Sequence, residues 1–286
     1  MRHEYLLALH RSGSAVPRTG WSPRFITLWQ GDRLCAATPA YLKAHSYGEY
    51  VFDWAWADAY ARHGLPYYPK LLVAVPFTPV PGSRLLGVDT DACRALVDAL
   101  QDAAEAWSVS SIHVLFHDEA EGPALAGNTW MPRQNVQFHW THAQAGEPES
   151  FEAFLSHLQR EKRKKIKQER RRVAAAGVTF QVLEQGQIDE AAWDFFHRCY
   201  VNTYRLHHST PYLSRAFFRL TAQSMPQHWV MFVAMREGEH GKAFAKRMCE
   251  LGFDLQRKEA PDIADKCAIA CSTDLSDREK FERLGL

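Results

Sequence analysis

Lys70-Leu-Leu-Val-Ala-Val-Pro-Phe77 is the run on which the fold turns. Beyond its lysine it is apolar without alternation, so both faces need cover, and it reads as a central strand. Downstream, Cys93, Leu96, Val97, Leu100, Ala104 and Trp107 recur at helical spacing between Thr90 and Trp107. Ser111-Ile-His-Val-Leu-Phe116 is then the next strand. Strand, helix, strand predicts an α/β fold, a mixed sheet with flanking helices. Upstream, Arg24–Gln30 and Arg33–Leu42 flank Gly31-Asp32, a hairpin signal. Asp53 is placed to cap a helix running through Arg62, stopped by Gly64 and Pro66. Asn135-Val-Gln-Phe-His-Trp140 reads as one more strand.

Residues 151–236 partly repeat that order. A long helix, Phe151 to Ala176, ends at Gly177, and the strand Val178–Leu183 follows. Helices over about 189–205 and 214–224 lead to the strand Trp229–Met235. The composition then changes: all nine tryptophans and ten tyrosines lie at or before Trp229, while three of the six cysteines lie after it. The division expected is a first domain over 1–148, a partial second over 149–238 and a divergent, partly helical tail over 239–286. In that tail a helix over Lys242–Leu251 sets Phe244, Met248 and Leu251 on one face, too little to complete a second sheet.

With 46% hydrophobic and 23% charged residues, the 286-residue chain can bury a core. A net charge of +1 excludes a global field toward nucleic acid or membrane, so electrostatic specificity must be local. No apolar run reaches the length of a membrane span, and the start of the chain lacks a signal-peptide core. The six cysteines form no CxxC pair, which predicts reduced thiols and a cytoplasmic protein.

The chemistry concentrates in His45-Ser-Tyr-Gly-Glu-Tyr-Val-Phe-Asp-Trp-Ala-Trp56, with Tyr67-Tyr-Pro-Lys70 and Pro76-Phe-Thr-Pro-Val-Pro-Gly-Ser-Arg84 close behind. Titratable groups and large aromatics separated by Gly and Pro describe the wall of a polar, aromatic-lined pocket. The competing reading is an amphipathic strand and helix with their aromatics turned into the core. A second feature is Arg160–Arg172, with nine basic and two acidic residues. Leu155, Leu158, Ile166 and Val173 give this helix an apolar stripe, so its cationic face turns outward, to phosphates or to solvent alone. The loop before the helix at 90 has the layout of an anion cradle, although Asp89 and Asp91 oppose it and Arg84 would have to supply the charge. Histidine spacing predicts no metal site, and no nucleotide-binding glycine loop or nucleophile elbow occurs.

Tyr41-Leu-Lys-x-His-Ser-Tyr-Gly-Glu-Tyr-Val-Phe-Asp53, Tyr67-Tyr-Pro-Lys-Leu71, Pro76-Phe-Thr-Pro-Val80, Gln137-Phe-His-Trp140 and Lys162-Arg-Lys-Lys-Ile-x-x-Glu-Arg-Arg171 resemble the FemAB-like proteins of the GNAT acyltransferase superfamily. The resemblance runs over roughly 3–237 and implies tandem GNAT-like domains, the second incomplete here. It also implies acyl or aminoacyl transfer to an amine, on a peptidoglycan-related precursor. The co-substrate implied is acyl-CoA or aminoacyl-tRNA, with no tightly bound cofactor. Arg236-Glu-Gly-Glu-His-Gly241 does not match the acetyl-CoA pyrophosphate loop of that superfamily.

On that basis Glu49, Asp53 and His45 are the candidate bases, and Tyr47 or Tyr50 the proton donor to the leaving group. Lys43, Lys70 and Arg84, with Tyr50, Tyr67 and Thr78, are expected to hold the substrate. Arg163, Lys164, Lys167 and Arg171 are expected to meet a phosphate-bearing precursor or tRNA. The alternative is a non-catalytic protein that recognises a cell-wall precursor or RNA.

Overall fold

The computed structural model describes residues 1–127, 130–134, 136 and 150–236. The strand expected at 135–140, the Gln137–Trp140 motif and the tail from 239, with its helix at 242–251, fall wholly or mainly outside them. In chain order the elements are α1 (His3–Arg11), β1 (Trp21–Pro23), β2 (Ile26–Gln30), β3 (Arg33–Thr38), β4 (Ala40–Lys43), α2 (Trp54–Arg62) and β5 (Lys70–Val73). There follow β6 (Leu86–Gly87), α3 (Thr90–Ala106), β7 (Ile112–Val114) and α4 (Gly122–Leu125). The remainder are α5 (Phe151–Ser156), α6 (Arg160–Ala175), β8 (Val178–Glu184), α7 (Glu190–Leu206), α8 (Arg215–Ser224) and β9 (Val230–Arg236). They fall into two compact units, one of Met1–Arg133 with Pro211–Pro226, the other of Gln134–Thr210 with the chain from Gln227 on.

The first unit is mixed α/β. Its main sheet has the order β1-β4-β5-β7, with β4 antiparallel and β7 parallel to β5. All four residues of β5 are buried, as its unbroken apolar character requires. Pairing stops at Val73, before the end expected at Phe77; Pro76 has no amide to donate, and Phe77 has a φ of 59°. The β2–β3 hairpin closes over Gly31-Asp32, with Gln30 opposite Arg33 and Gly31 at a φ of 58°. The run 33–42 is not one strand. β3 joins a sheet of order β2-β3-β6, and β4 joins the main sheet after a break at Pro39. Leu96, Val97 and Leu100 of α3 fill the space against Leu71, Val73, Ala36, Ala40 and Leu85.

One carboxylate holds the passage from β5 toward α3. Glu121 Oε1 accepts from the backbone amides of Arg84 and Leu85, both at 2.7 Å, and all three residues are buried. Replacing Glu121 with Ala strands two buried amides, at about 1–3 kcal/mol each. Glu121→Ala should therefore lower unfolding free energy by about 2–6 kcal/mol in urea titration, and Glu121→Gln, which keeps an acceptor, by well under half of that. Equal losses for the two variants would refute this account.

Helix α8 packs on α1 in the same unit, although the sequence division places it in the second domain. Ser214 caps α8 and ties it to the first helix, its amide donating to Ser14 Oγ at 3.3 Å and its hydroxyl to the Ser12 carbonyl at 3.2 Å. Tyr5 meets Phe217 edge-on at 5.4 Å.

The second unit pairs β8 with β9 antiparallel over seven residues, and among the described residues these strands pair only with each other. The single helix expected over 151–176 is two: α5 stops at Ser156 and α6 starts at Arg160. Ile166 and Val173 are half-buried on α6, while most of its cations are exposed. Among the described residues no helix is long and apolar enough to cross a membrane.

Candidate functional site

Strands β4 and β5 lie antiparallel with Lys43 opposite Lys70, so two lysines share one end of the main sheet. Both side chains are fully buried. They survive there for different reasons. Lys70 Nζ donates to Glu49 Oε2 at 2.8 Å, to Asp53 Oδ2 at 2.5 Å and to Ser46 Oγ at 3.0 Å, which uses all three of its protons. Lys43 Nζ lies 3.6 Å from the centre of the Trp21 ring and donates to the Tyr47 carbonyl at 3.3 Å, with no carboxylate of the described residues in ion-pair reach.

The carboxylates come from the loop between β4 and α2. Gly48 opens it at a φ of 81°, where a Cβ would strike the Phe77 ring at 2.6 Å. Tyr50 and Phe52 hold φ values of 62° and 52°, a conformation that costs non-glycine residues energy and clusters at functional sites. Asp53 stands at the helix N-cap as expected, but its side chain caps nothing. Its Oδ2 is taken by Lys70 and by the Tyr67 hydroxyl at 2.6 Å. Ser46 Oγ also meets the Tyr68 hydroxyl at 2.7 Å. Glu49 Oε1 and Asp53 Oδ1 are buried without a hydrogen-bond partner among the described residues.

These surroundings separate the groups by proton affinity. Burial pushes Glu49 up, against the pull of Lys70. Burial also works to raise Asp53, but hydrogen bonds from Lys70, Ser46 and Tyr67 outweigh it and hold that carboxyl at about 2. Burial lowers Lys43 to about 7, with Glu49 opposing and Lys70 reinforcing the shift. His45 is lowered by burial and by Lys43, and His113 of β7 falls to about 4 through burial and Lys70. Two carboxyls driven apart beside a lysine near neutrality can hold and pass a proton at physiological pH.

The lysine yields a prediction with a definite sign. Between about 7 and the ordinary 10.5 the unfolded chain carries a proton on Lys43 that the folded chain lacks. Stability therefore rises with pH across that window. Lys43→Met should flatten this rise in denaturant titrations made at stepped pH. A slope unchanged by the substitution would show that Lys43 stays charged.

The structure thus brings together Lys43, Glu49, Asp53, Tyr67 and Lys70, with His45 and Tyr47 alongside. Tyr47 is exposed and its ring meets Trp54 at 5.0 Å and His45 at 5.2 Å, while Tyr50 meets Tyr212 at 6.4 Å. Lys43 is corrected as a holder of anionic substrate, because burial draws its ammonium toward neutrality and its Nζ is turned to the Trp21 ring and the Tyr47 carbonyl. Lys70 is corrected likewise, since its donors are spent. Arg84 stands apart: its guanidinium donates to the carbonyls of Leu115, Gly82, Ser83 and Val80 and so braces a loop. With Asp89 Oδ1 accepting from the Ala92 amide at 2.7 Å, the anion cradle before α3 is closed from both sides. Thr78 Oγ1 bonds the Tyr5 hydroxyl at 3.2 Å and the Pro76 carbonyl at 3.0 Å.

Sequence reasoning missed Trp21, Ser46, Tyr68 and Glu121. Only Glu121 carried a local signal, the Asp118-x-x-Glu121 capping box. Among the described residues no group of three His, Cys, Asp or Glu is placed to hold a metal.

On α6, Lys167 pairs with Glu152 of α5 at 2.7 Å, and Arg170 lies 4.0 Å from the centre of the Phe151 ring. These four residues and Arg171 line a cleft of about 470 Å³. Arg163 donates to the Ser156 carbonyl at 3.2 Å, and Lys164 is exposed on another side of the helix.

The family model for FemAB-like proteins, described by peptidoglycan biosynthesis/recognition, matches residues 1–250. A crystal structure of FemX aligns with 99% of this chain and 68% of its own, at 11% identity and a TM-score of 0.38. The comparison with curated proteins gave no match.

Proposed function

The chain belongs to the FemAB-like family of peptidoglycan biosynthesis and recognition proteins, and from that premise we propose that it is an N-acyltransferase of tandem GNAT-like domains. The second domain, over 149–238, is the incomplete one in this reading, and 239–286 a divergent tail. The reaction is transfer of an acyl or aminoacyl group to an amine on a peptidoglycan-related precursor. The observation that carries it is the buried carboxylate of Glu49, lifted above its ordinary range and with one oxygen unpartnered. The amine nitrogen attacks the carbonyl carbon of an ester or thioester and loses a proton to Glu49. The bond to the leaving oxygen or sulfur breaks, and that atom takes a proton from Tyr47. Asp53 is too acidic for the base and instead fixes Lys70 and Tyr67. Tyr50 and Tyr67 shape the acceptor side. The donor is acyl-CoA or aminoacyl-tRNA rather than a resident cofactor; Lys167 and Arg171, on the second unit, are the cations this reading offers to a phosphate-bearing precursor or tRNA.

The depth of Glu49, 3% exposed, favours a second reading, a non-catalytic protein that recognises a cell-wall precursor or RNA. Incubating the purified chain with labelled aminoacyl-RNA or acyl-CoA and peptidoglycan-precursor amines separates the two. Transfer above background supports the enzyme. Tight binding without turnover supports recognition.

A further inference from the structure

We infer that the first unit carries a self-pairing edge: β2 of one copy docks antiparallel on β2 of a second copy, about a two-fold axis at Leu28. The inference goes beyond acyl transfer and stands without it. The two edges of the sheet β2-β3-β6 are unlike. β6 is only Leu86-Gly87, too short to template another strand. β2 runs over five residues, Ile26-Thr-Leu-Trp-Gln30, and holds no lysine, proline or carboxylate of the kind that blunts an edge. Its pairing with β3 is irregular after Leu28, where Leu28 faces Ala36 but Trp29 faces Leu34, so Cys35 is the extra residue. The bulge therefore belongs to β3 and leaves the edge strand itself regular. Among the described residues no strand and no backbone hydrogen bond covers the outer side of β2.

Register and charge identify the occupant. Ile26 and Leu28 pack on the core beneath α3, while Thr27 is exposed and Trp29 is 60% exposed. Antiparallel pairing of the whole strand with its own reverse puts Ile26 opposite the second copy's Gln30, and Thr27 opposite its Trp29. Continued past the strand ends, the same register puts Phe25 opposite Gly31 and Arg24 opposite Asp32. Arg24 and Asp32 are both exposed, and neither has an ion-pair partner among the described residues. Two-fold symmetry makes their pair twice, once at each end of the interface. Phe25, 48% exposed, comes to lie over Gly31, beside which a Cβ would meet nothing within 4 Å. An aromatic over a glycine of the facing strand supports a pairing of this kind. An extended segment of another protein would satisfy the backbone of β2 equally well. The oppositely charged ends, however, are matched by the reverse of this same strand, and that favours a second copy.

Sedimentation equilibrium of the full chain should show a reversible dimer, with a dissociation constant on the order of 10 μM for so short an interface. Arg24→Asp alone, or Asp32→Arg alone, turns both end pairs from attraction to repulsion and should weaken the dimer roughly tenfold. Arg24→Asp/Asp32→Arg exchanges the signs and should bring the affinity back to within about twofold of the unaltered chain. Both positions are exposed, so the variants leave the core untouched. Hydrogen exchange needs no variant at all: outward amides within Ile26–Gln30 should slow as the concentration of unaltered chain rises. A monomer at every concentration up to about 100 μM overturns the proposal. So does a dimer indifferent to both single reversals, or one that the double reversal fails to restore. A dimer whose β2 amides all exchange at the monomer's rate is built elsewhere on the chain and overturns it too.

Discussion

Lys70→Met should cost about 3–5 kcal/mol of unfolding free energy at neutral pH, the usual penalty for breaking a buried ion pair from one side. The substitution keeps the length of the side chain and removes its three donors. Glu49, with no exposed side-chain surface, and Asp53, 10% exposed, would then face each other as buried carboxylates. The loss should come from that uncompensated charge rather than from packing. Adding Glu49→Gln and Asp53→Asn to Lys70→Met should therefore recover most of it. Urea titration of the single and triple variants provides the comparison. A triple variant as unstable as the single one would place the cost elsewhere. The acid limb gives a further check. Asp53 is held at about 2 in the folded chain against an ordinary 3.8, so its contribution is complete above the ordinary value and fades as pH falls through the lower one. In Lys70→Met this part of the acid sensitivity should shrink.

Glu49→Gln should reduce acyl transfer by about 10²–10⁴-fold, the range for removing a positioned general base. The amide keeps an acceptor for Lys70, so the fold should hold while the proton has nowhere to go. A base works only when ionised. Activity of the unaltered chain should thus rise with pH through the elevated Glu49 value, and the Gln variant should lack that rise. Because the loss lies in the chemical step, kcat should fall with little change in KM. Full activity in a folded Glu49→Gln would remove this residue from the mechanism and leave recognition as the better reading.

Much of the secondary structure is legible because it is local. Gly31-Asp32 announces its hairpin, and the spacing of Leu96, Val97 and Leu100 announces α3. β8, α7, α8 and β9 lie within a residue or two of where periodicity puts them. What escapes is decided by partners distant in sequence. Asp53 looks like a helix cap, and only the arrival of Lys70 on a neighbouring strand diverts its carboxylate. Arg84 looks like an anion ligand until the carbonyls of Val80 and Leu115 enclose it. Pro39 gives no sign that the strands on its two sides enter different sheets. Of the candidate residues, Lys43, Glu49, Asp53 and Tyr67 gather around Lys70. Their depth was not readable, because aromatic and charged residues in alternation describe a pocket wall and a sealed cluster equally well.

The order of synthesis gives the α1–α8 contact a meaning of its own. The first unit is interrupted in sequence, leaving at residue 133 and taking up the chain again at 211. Phe217, the partner of α1 across Tyr5, leaves the ribosome some two hundred residues after that helix. Until then the nascent first unit lacks one wall, and the whole of 134–210 must emerge before that wall can be set. Its folding is therefore timed by the elongation of the segment between, and a pause within that segment prolongs the exposure of the face that α8 will cover.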